Sequence, residues 1–245
     1  MIRLARHRAL GLAILSLLAI SEVGCGTDTS RSGSSTPTNT TVNPADFVAK
    51  IDNPYLPLVP GTRFRYEGTT DKGPETVVVE VTHQTQQILG VTTVVVRDTV
   101  TRRGQLVEDT VDWFGQDRKG NVWYFGEDTK KYQNGKVVST KGSWEAGKNG
   151  AQPGIVMKAQ PQVGDTYRQE YLKGEAEDMG EVLSVTERAT VPFGSFDQVV
   201  MVKDFTPLEP DRVEHKYYAR GVGFVLEVMV KGGKDRLELV EVTRP

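Results

Sequence analysis

"VTTVVVRDTVTRRGQLVEDTVDWFGQDRKGNVWYF", residues 91–125, decides the fold. Three runs rich in Val, Thr and aromatics, at 91–100, 105–114 and 121–125, are separated by short turns around Gly104 and Gly120. Such residues suit a pleated surface, and turns of this kind join strands as hairpins. Successive hairpins make neighbours antiparallel, because parallel neighbours need long crossovers.

The same pattern extends in both directions. "ETVVVEV" (75–81) precedes it, after a turn around Gly73, and "KKYQNGKVVS" (130–139) follows with Asn134-Gly135 at a two-residue turn. Both of those residues tolerate the positive φ of a type I′ hairpin. Further strand-like runs occupy 165–172, 180–187, 198–205, 214–219 and 223–231, and Gly232-Gly233 marks another hairpin. The stretch 142–161, rich in glycine, reads as the longest loop, a place for a lid or binding edge. One short helix is expected at 43–51, where Asn43 caps, Pro44 takes the first position and Asp46 lies in the first turn. The fold class expected is all-β: an antiparallel meander of about a dozen strands, too many for one flat sheet. A strongly curved sheet, barrel or half-barrel, or a two-layer sandwich, follows.

The first 42 residues are of another kind. Arg3, Arg6 and Arg8 precede "ALGLAILSLLAI" (9–20), the layout of an export signal. Twelve helical residues rise about 18 Å, short of a hydrocarbon layer about 30 Å thick. Cys25 is the sole cysteine. "Glu22-Val23-Gly24-Cys25" resembles the cleavage box of bacterial lipoproteins, in which the cysteine becomes the acylated first residue. Glu22 departs from the apolar residue usual there, so ordinary cleavage after Ser21, or a free cysteine, are the alternatives. The division expected is a signal peptide at 1–24, a Ser/Thr/Gly tether at 25–42 beginning with acylated Cys25, and one all-β domain at 43–245. More than one acyl chain anchors firmly, at about 0.8 kcal/mol per buried methylene. With one cysteine there is no internal disulfide, so the core alone holds the domain.

The formal net charge is −2. Without residues 1–24, which hold three arginines and Glu22, it is −4. No basic patch for nucleic acid or an anionic bilayer is visible, so the membrane is expected as a partner only through the lipid anchor.

Three stretches carry a resemblance: "NPYLPLVPGTRFRYEG" (53–68), "VPFGSFDQVVMV" (191–202) and "EHKYYARGVGFV" (214–225). Together they resemble a group of bacterial exported domains, many of them lipoproteins, built from antiparallel strands and without an assigned activity. In architecture alone the chain is also similar to curved-sheet lipoprotein carriers that cup a lipid, a likeness that does not imply function.

Two polar concentrations are candidate sites. In "YRQEYLKGEAEDMGEV" (167–182) an extended backbone puts Glu175, Glu177 and Glu181 on one face and Asp178 on the other. With His215 alongside, Glu175, Glu177 and Asp178 form a candidate acid–base set, and Glu175, Glu177 and His215 a candidate divalent-metal set. A solvated acidic face and a hydrogen-bonded structural histidine are the plain alternatives. No HExxH, CxxC or calcium-loop spacing supports a metal, and no nucleophile elbow, phosphate loop or dinucleotide fingerprint is present. The second concentration is aromatic. Trp113, Trp123, Phe125, Glu127, Trp144, Glu145 and Tyr217 are candidates for a pocket that takes a small amphipathic or apolar molecule. Core packing is the plain reading of those rings. Strict alternation groups Trp123 and Phe125 with Glu127, and puts Tyr124 opposite.

Three functional readings follow. The first is a cofactor-free binder of a small amphipathic or apolar molecule in a sheet-lined cavity. The second is a carboxylate/histidine enzyme, with Glu145 and a divalent cation as further participants. The third is an envelope interaction module offering a sheet edge or aromatic face.

Overall fold

A computed structural model describes residues 42–245. In chain order its strands are β1 (Phe47–Val48), β2 (Arg63–Thr70), β3 (Gly73–Ile88), β4 (Val91–Arg102), β5 (Gln105–Asp117), β6 (Val122–Gln133), β7 (Lys136–Ser139), β8 (Trp144–Glu145), β9 (Gln152–Met157), β10 (Thr166–Arg168), β11 (Glu170–Tyr171), β12 (Met179–Val191), β13 (Gly194–Phe205), β14 (Val213–Ala219), β15 (Gly223–Lys231) and β16 (Arg236–Thr243). The hairpins β2–β6 and β12–β16 pair antiparallel with their neighbours, and β16 pairs with β2, so the two meanders share one sheet. At the far ends β12 pairs with β10, and β6 pairs with β9, which pairs with β11. β10 and β11 are one stretch of chain, interrupted only at Gln169. Thr166–Tyr171 therefore bonds both ends of the sheet and nearly closes it into a barrel-like shape.

The turns follow local chemistry. Asn134 and Gly135 take φ of 53° and 73° in the β6–β7 hairpin, as a type I′ turn requires. Valines dominate the packed interior, with Val77, Val81, Val100, Val199, Val200 and Leu239 all buried. β12–β13 extends beyond its pairing with β14 and folds back, and Phe193 N–H bonds the Leu239 carbonyl at 3.1 Å.

Three expectations are corrected. No helix forms at 43–51: Pro44–Asp46 is a single 3-10 turn, and Phe47 leaves it in extended geometry at φ −103°, ψ 156°. Phe47 and Val48 gain more by pairing with Asp117 and Gln116 of β5, where the Phe47 ring meets Trp123 and Phe125. The loop expected at 142–161 contains β8 and β9, both hydrogen-bonded to β6. The run 165–172 is two short strands, and Leu172–Ala176 is a tight turn, so 175–178 does not continue β12.

Candidate functional site

The inner face of β5 and β6 depends on one bulge. Phe114 is opposite Tyr124 and Trp113 is opposite Gly126, which leaves Phe125 as the extra residue. Gly126 sits at φ 135°, and a Cβ there would collide with the Trp144 carbonyl; only glycine meets both demands. A one-residue slip exchanges the faces of everything beyond it. Tyr124, Glu127 and Thr129 consequently share the side of Phe114, Asp112 and Thr110. Trp123 and Phe125 lie on the other side, edge-on to Phe47 at 5.9 and 5.5 Å. The grouping of Glu127 with those two rings by strict alternation is thus corrected.

The inner side is unusually polar. Asp98, Glu108, Asp112, Glu127, Glu170, Asp178 and Asp204 are buried, as is Lys216. Few are fully partnered. Tyr124 donates from its hydroxyl to Asp112 Oδ1 at 2.7 Å, while Asp112 Oδ2 and both Asp98 carboxylate oxygens accept no hydrogen bond from the described residues. The Thr110 and Thr129 hydroxyls bond each other. Gln169 Nε2 donates to Asp204 Oδ1 at 3.1 Å, and Lys216 Nζ lies 2.5 Å from Asp204 Oδ2.

Burial disfavours the charged form of an acid, and neighbouring carboxylates add to that. Burial pushes Asp112 up to about 7, against the Tyr124 bond that pulls it down. Glu108 also rises to about 7, burial outweighing Lys131. Glu170 rises to about 8 through burial, opposed by the Trp144 indole N–H and by Lys216. Asp98 stands well above the ordinary range because it is buried beside Asp112 and Glu108. Burial disfavours the Lys216 cation, but Asp204, Tyr218, Glu227 and Glu214 together outweigh that and keep it protonated.

A cavity of about 50 Å³ lies within the barrel beneath Leu56, Pro57 and Leu58. Its walls are Phe64, Tyr66, Val79, Val96, Phe114, Tyr218, Val222 and Phe224, and Asp112, Lys216 and Glu227 are its ionisable lining. On a scale where one water needs about 10–15 Å³, it has room for about four waters. The segment 51–58 straps over this end. Asn53, 1% exposed, holds it by donating to the Gly120 and Lys158 carbonyls and accepting from Tyr55 and Leu56 N–H. Gln116 Oε1 takes the Asp52 and Asn53 N–H groups, both at 2.9 Å. The strap's own Ile51, Leu56 and Leu58 are buried, each contributing about 1.5–3 kcal/mol.

The residues singled out from sequence are dispersed. Glu175 is exposed on the 172–176 turn, Glu177 is half-buried and accepts the Gly174 N–H at 2.7 Å, and Asp178 joins the inner carboxylates. His215 is half-buried on the face of β14 opposite Lys216; burial and then the Lys203 charge lower its pKa. These four are not brought together, and among the described residues no three acidic, histidine or cysteine groups converge as a metal site. Of the aromatic set, Trp144 is inside with Glu127, its ring edge-on to Tyr124 at 5.3 Å. Glu145 pairs with Lys148 at 2.7 Å. Trp113 and Tyr217 are half-buried on the outer side. None of the seven lines the cavity. Cys25, the signal and residues 25–41 of the tether lie outside the described residues. Sequence reasoning passed over Asp98, Glu108, Glu170, Asp204 and Glu227. The only signal was the Glu108, Thr110, Asp112 alternation, which reads equally well as a solvated face.

No family model matches the chain, and no curated protein sequence matches it. Two solved structures do. One is a candidate exported protein with a YmcC-like fold from Bacteroides fragilis, with TM-score 0.46, 17% identity, and coverage of 78% of this chain and 99% of that one. The other is a candidate lipoprotein from Parabacteroides distasonis, with TM-score 0.44, 14% identity, and coverage of 77% and 98%.

Proposed function

We propose that this chain is exported, anchored through acylated Cys25, and binds a small amphipathic molecule inside its barrel. One observation carries the binding reading: an apolar collar with Asp112, Lys216 and Glu227 in its lining, inside a nearly closed sheet and under a separately stapled strap. Convergent polar groups within an apolar pocket are what a ligand with an apolar body and a polar head requires. The size of the cavity limits that ligand to a small molecule, unless the strap moves. The basic leader, the short apolar core and the Gly24-Cys25 junction support export and anchoring.

Native mass spectrometry of the detergent-released full chain tests the binding. The expected result is an adduct of low mass that organic extraction removes. Val96→Phe, which fills the collar, should abolish it with the melting temperature changed by only a few degrees. Leu58→Ala, which enlarges the collar, should retain it. An adduct unaffected by Val96→Phe would overturn this location. Intact-mass analysis of the N-terminus tests the anchor: diacylated or triacylated Cys25 supports it, and a chain beginning at Glu22 overturns it.

A further inference from the structure

We propose that the molecule this cavity selects is a small protonated organic amine, held through Asp112 Oδ2. This rests on the binding reading above and assigns the chemical class of the ligand.

A buried carboxylate oxygen without a donor is costly, by about 1–3 kcal/mol or more when charged. Asp112 is 1% exposed, lines the cavity, and receives only the Tyr124 hydroxyl on Oδ1. Its other oxygen accepts nothing from the described residues. Because Asp112 lines the cavity, we place that donor there.

Charge then narrows the donor. Lys216 also lines the cavity, but its ammonium is 2.5 Å from Asp204 and is neutralised there. Glu227 adds a second carboxylate to the lining, and Asp98, with both oxygens unbonded and held toward its neutral form by burial, adds a further acceptor beside Asp112. An anion entering this cavity meets an excess of like charge in a medium that screens poorly. A neutral hydroxyl satisfies the hydrogen bond but leaves the charge. An ammonium satisfies both. Phe64, Phe114, Phe224 and the two tyrosines then favour its short apolar body and offer ring faces to the cation.

The test compares probes of matched shape on the detergent-released full chain. Propylamine, butylamine and benzylamine, with the corresponding alcohols and carboxylates, are titrated at constant ionic strength by calorimetry and thermal shift. The amines should bind at least tenfold tighter than the alcohols, and the carboxylates should not bind. Asp112→Asn, which still accepts the Tyr124 hydroxyl, should keep the fold and reduce the amine preference to less than twofold. If alcohols bind as well as amines, or Asp112→Asn keeps the preference, the amine assignment falls. If those probes are still excluded by Val96→Phe, the binding reading survives. If no probe binds and Val96→Phe is silent, both fail.

Discussion

The Tyr124 hydroxyl and the Asp112 carboxylate meet at 2.7 Å across the β5–β6 pair, both residues buried from solvent. Among the described residues, this bond is what favours the charged form of Asp112 against burial. Removing it by Tyr124→Phe should therefore push Asp112 higher still. The expected loss is about 1–3 kcal/mol at pH 8.5, where Asp112 would carry its charge, and markedly less at pH 5.5. Urea unfolding at the two pH values measures the difference; equal losses would show that the bond does not act through ionisation.

The wild-type chain should lose stability as pH rises from about 4 to about 8. Glu108 and Asp112 have native pKa values of about 7, and Glu170 of about 8, against about 4 when unfolded. Between those limits the native state holds more protons, so raising the pH favours unfolding. For Asp112, the displacement from 3.8 to about 7 corresponds to about 4 kcal/mol. Asp52 and Asp165 are lowered, chiefly by Gln116 and by Lys158, and act in the opposite sense, losing their contribution as pH falls below about 4. The melting temperature should peak near pH 4, and Asp112→Asn should raise it at pH 8.5 while hardly altering it at pH 4.

Lys216→Met should cost about 3–5 kcal/mol, since it leaves Asp204 buried without its cation. Pairing it with Asp204→Asn should recover most of that loss. A double-mutant cycle by chemical denaturation reads the coupling, and simple additivity would show that the two charges stabilise the barrel independently.

Gly126→Ala attacks the bulge. A methyl group there faces both a positive φ and the Trp144 carbonyl, so the penalty should exceed about 2 kcal/mol. Near-ultraviolet circular dichroism should report the disturbed Tyr124–Trp144 contact. Gly135→Ala, at φ 73° but with open space around its Cβ, is the control and should cost less.

Asn53→Ala removes two donated and two accepted hydrogen bonds from the strap. Amide exchange of Tyr55 and Leu56 should accelerate at least tenfold, while that of Val96 and Val100 in β4 stays slow. Uniform acceleration throughout would mean that the strap is part of the global fold and does not open separately.

The strands and hairpins are legible in the sequence because β-branched runs and glycine turns act locally, as at 91–125 and Asn134-Gly135. The barrel's interior is not. The inward direction of Glu127 is set by the Phe125 bulge, and a bulge leaves no mark in a period-two pattern. Asp98, Glu108 and Asp204 are hidden for another reason: an acid in an alternating strand is ordinarily the solvent-facing residue, and here the usual polarity is reversed. At Phe47 a good helix start is overruled by an edge of β5 and two aromatic rings, partners 70 or more residues away.

Closure of the ring rests on Thr166–Arg168 on one flank and Glu170–Tyr171 on the other. A clasp this short can unbuckle while the long hairpins remain zipped, as local openings draw on the least-bonded elements. Its release would unseal the flank beside Gln169, Glu170 and Asp204, giving water and small solutes a sideways route to the acidic interior that leaves the capped end undisturbed.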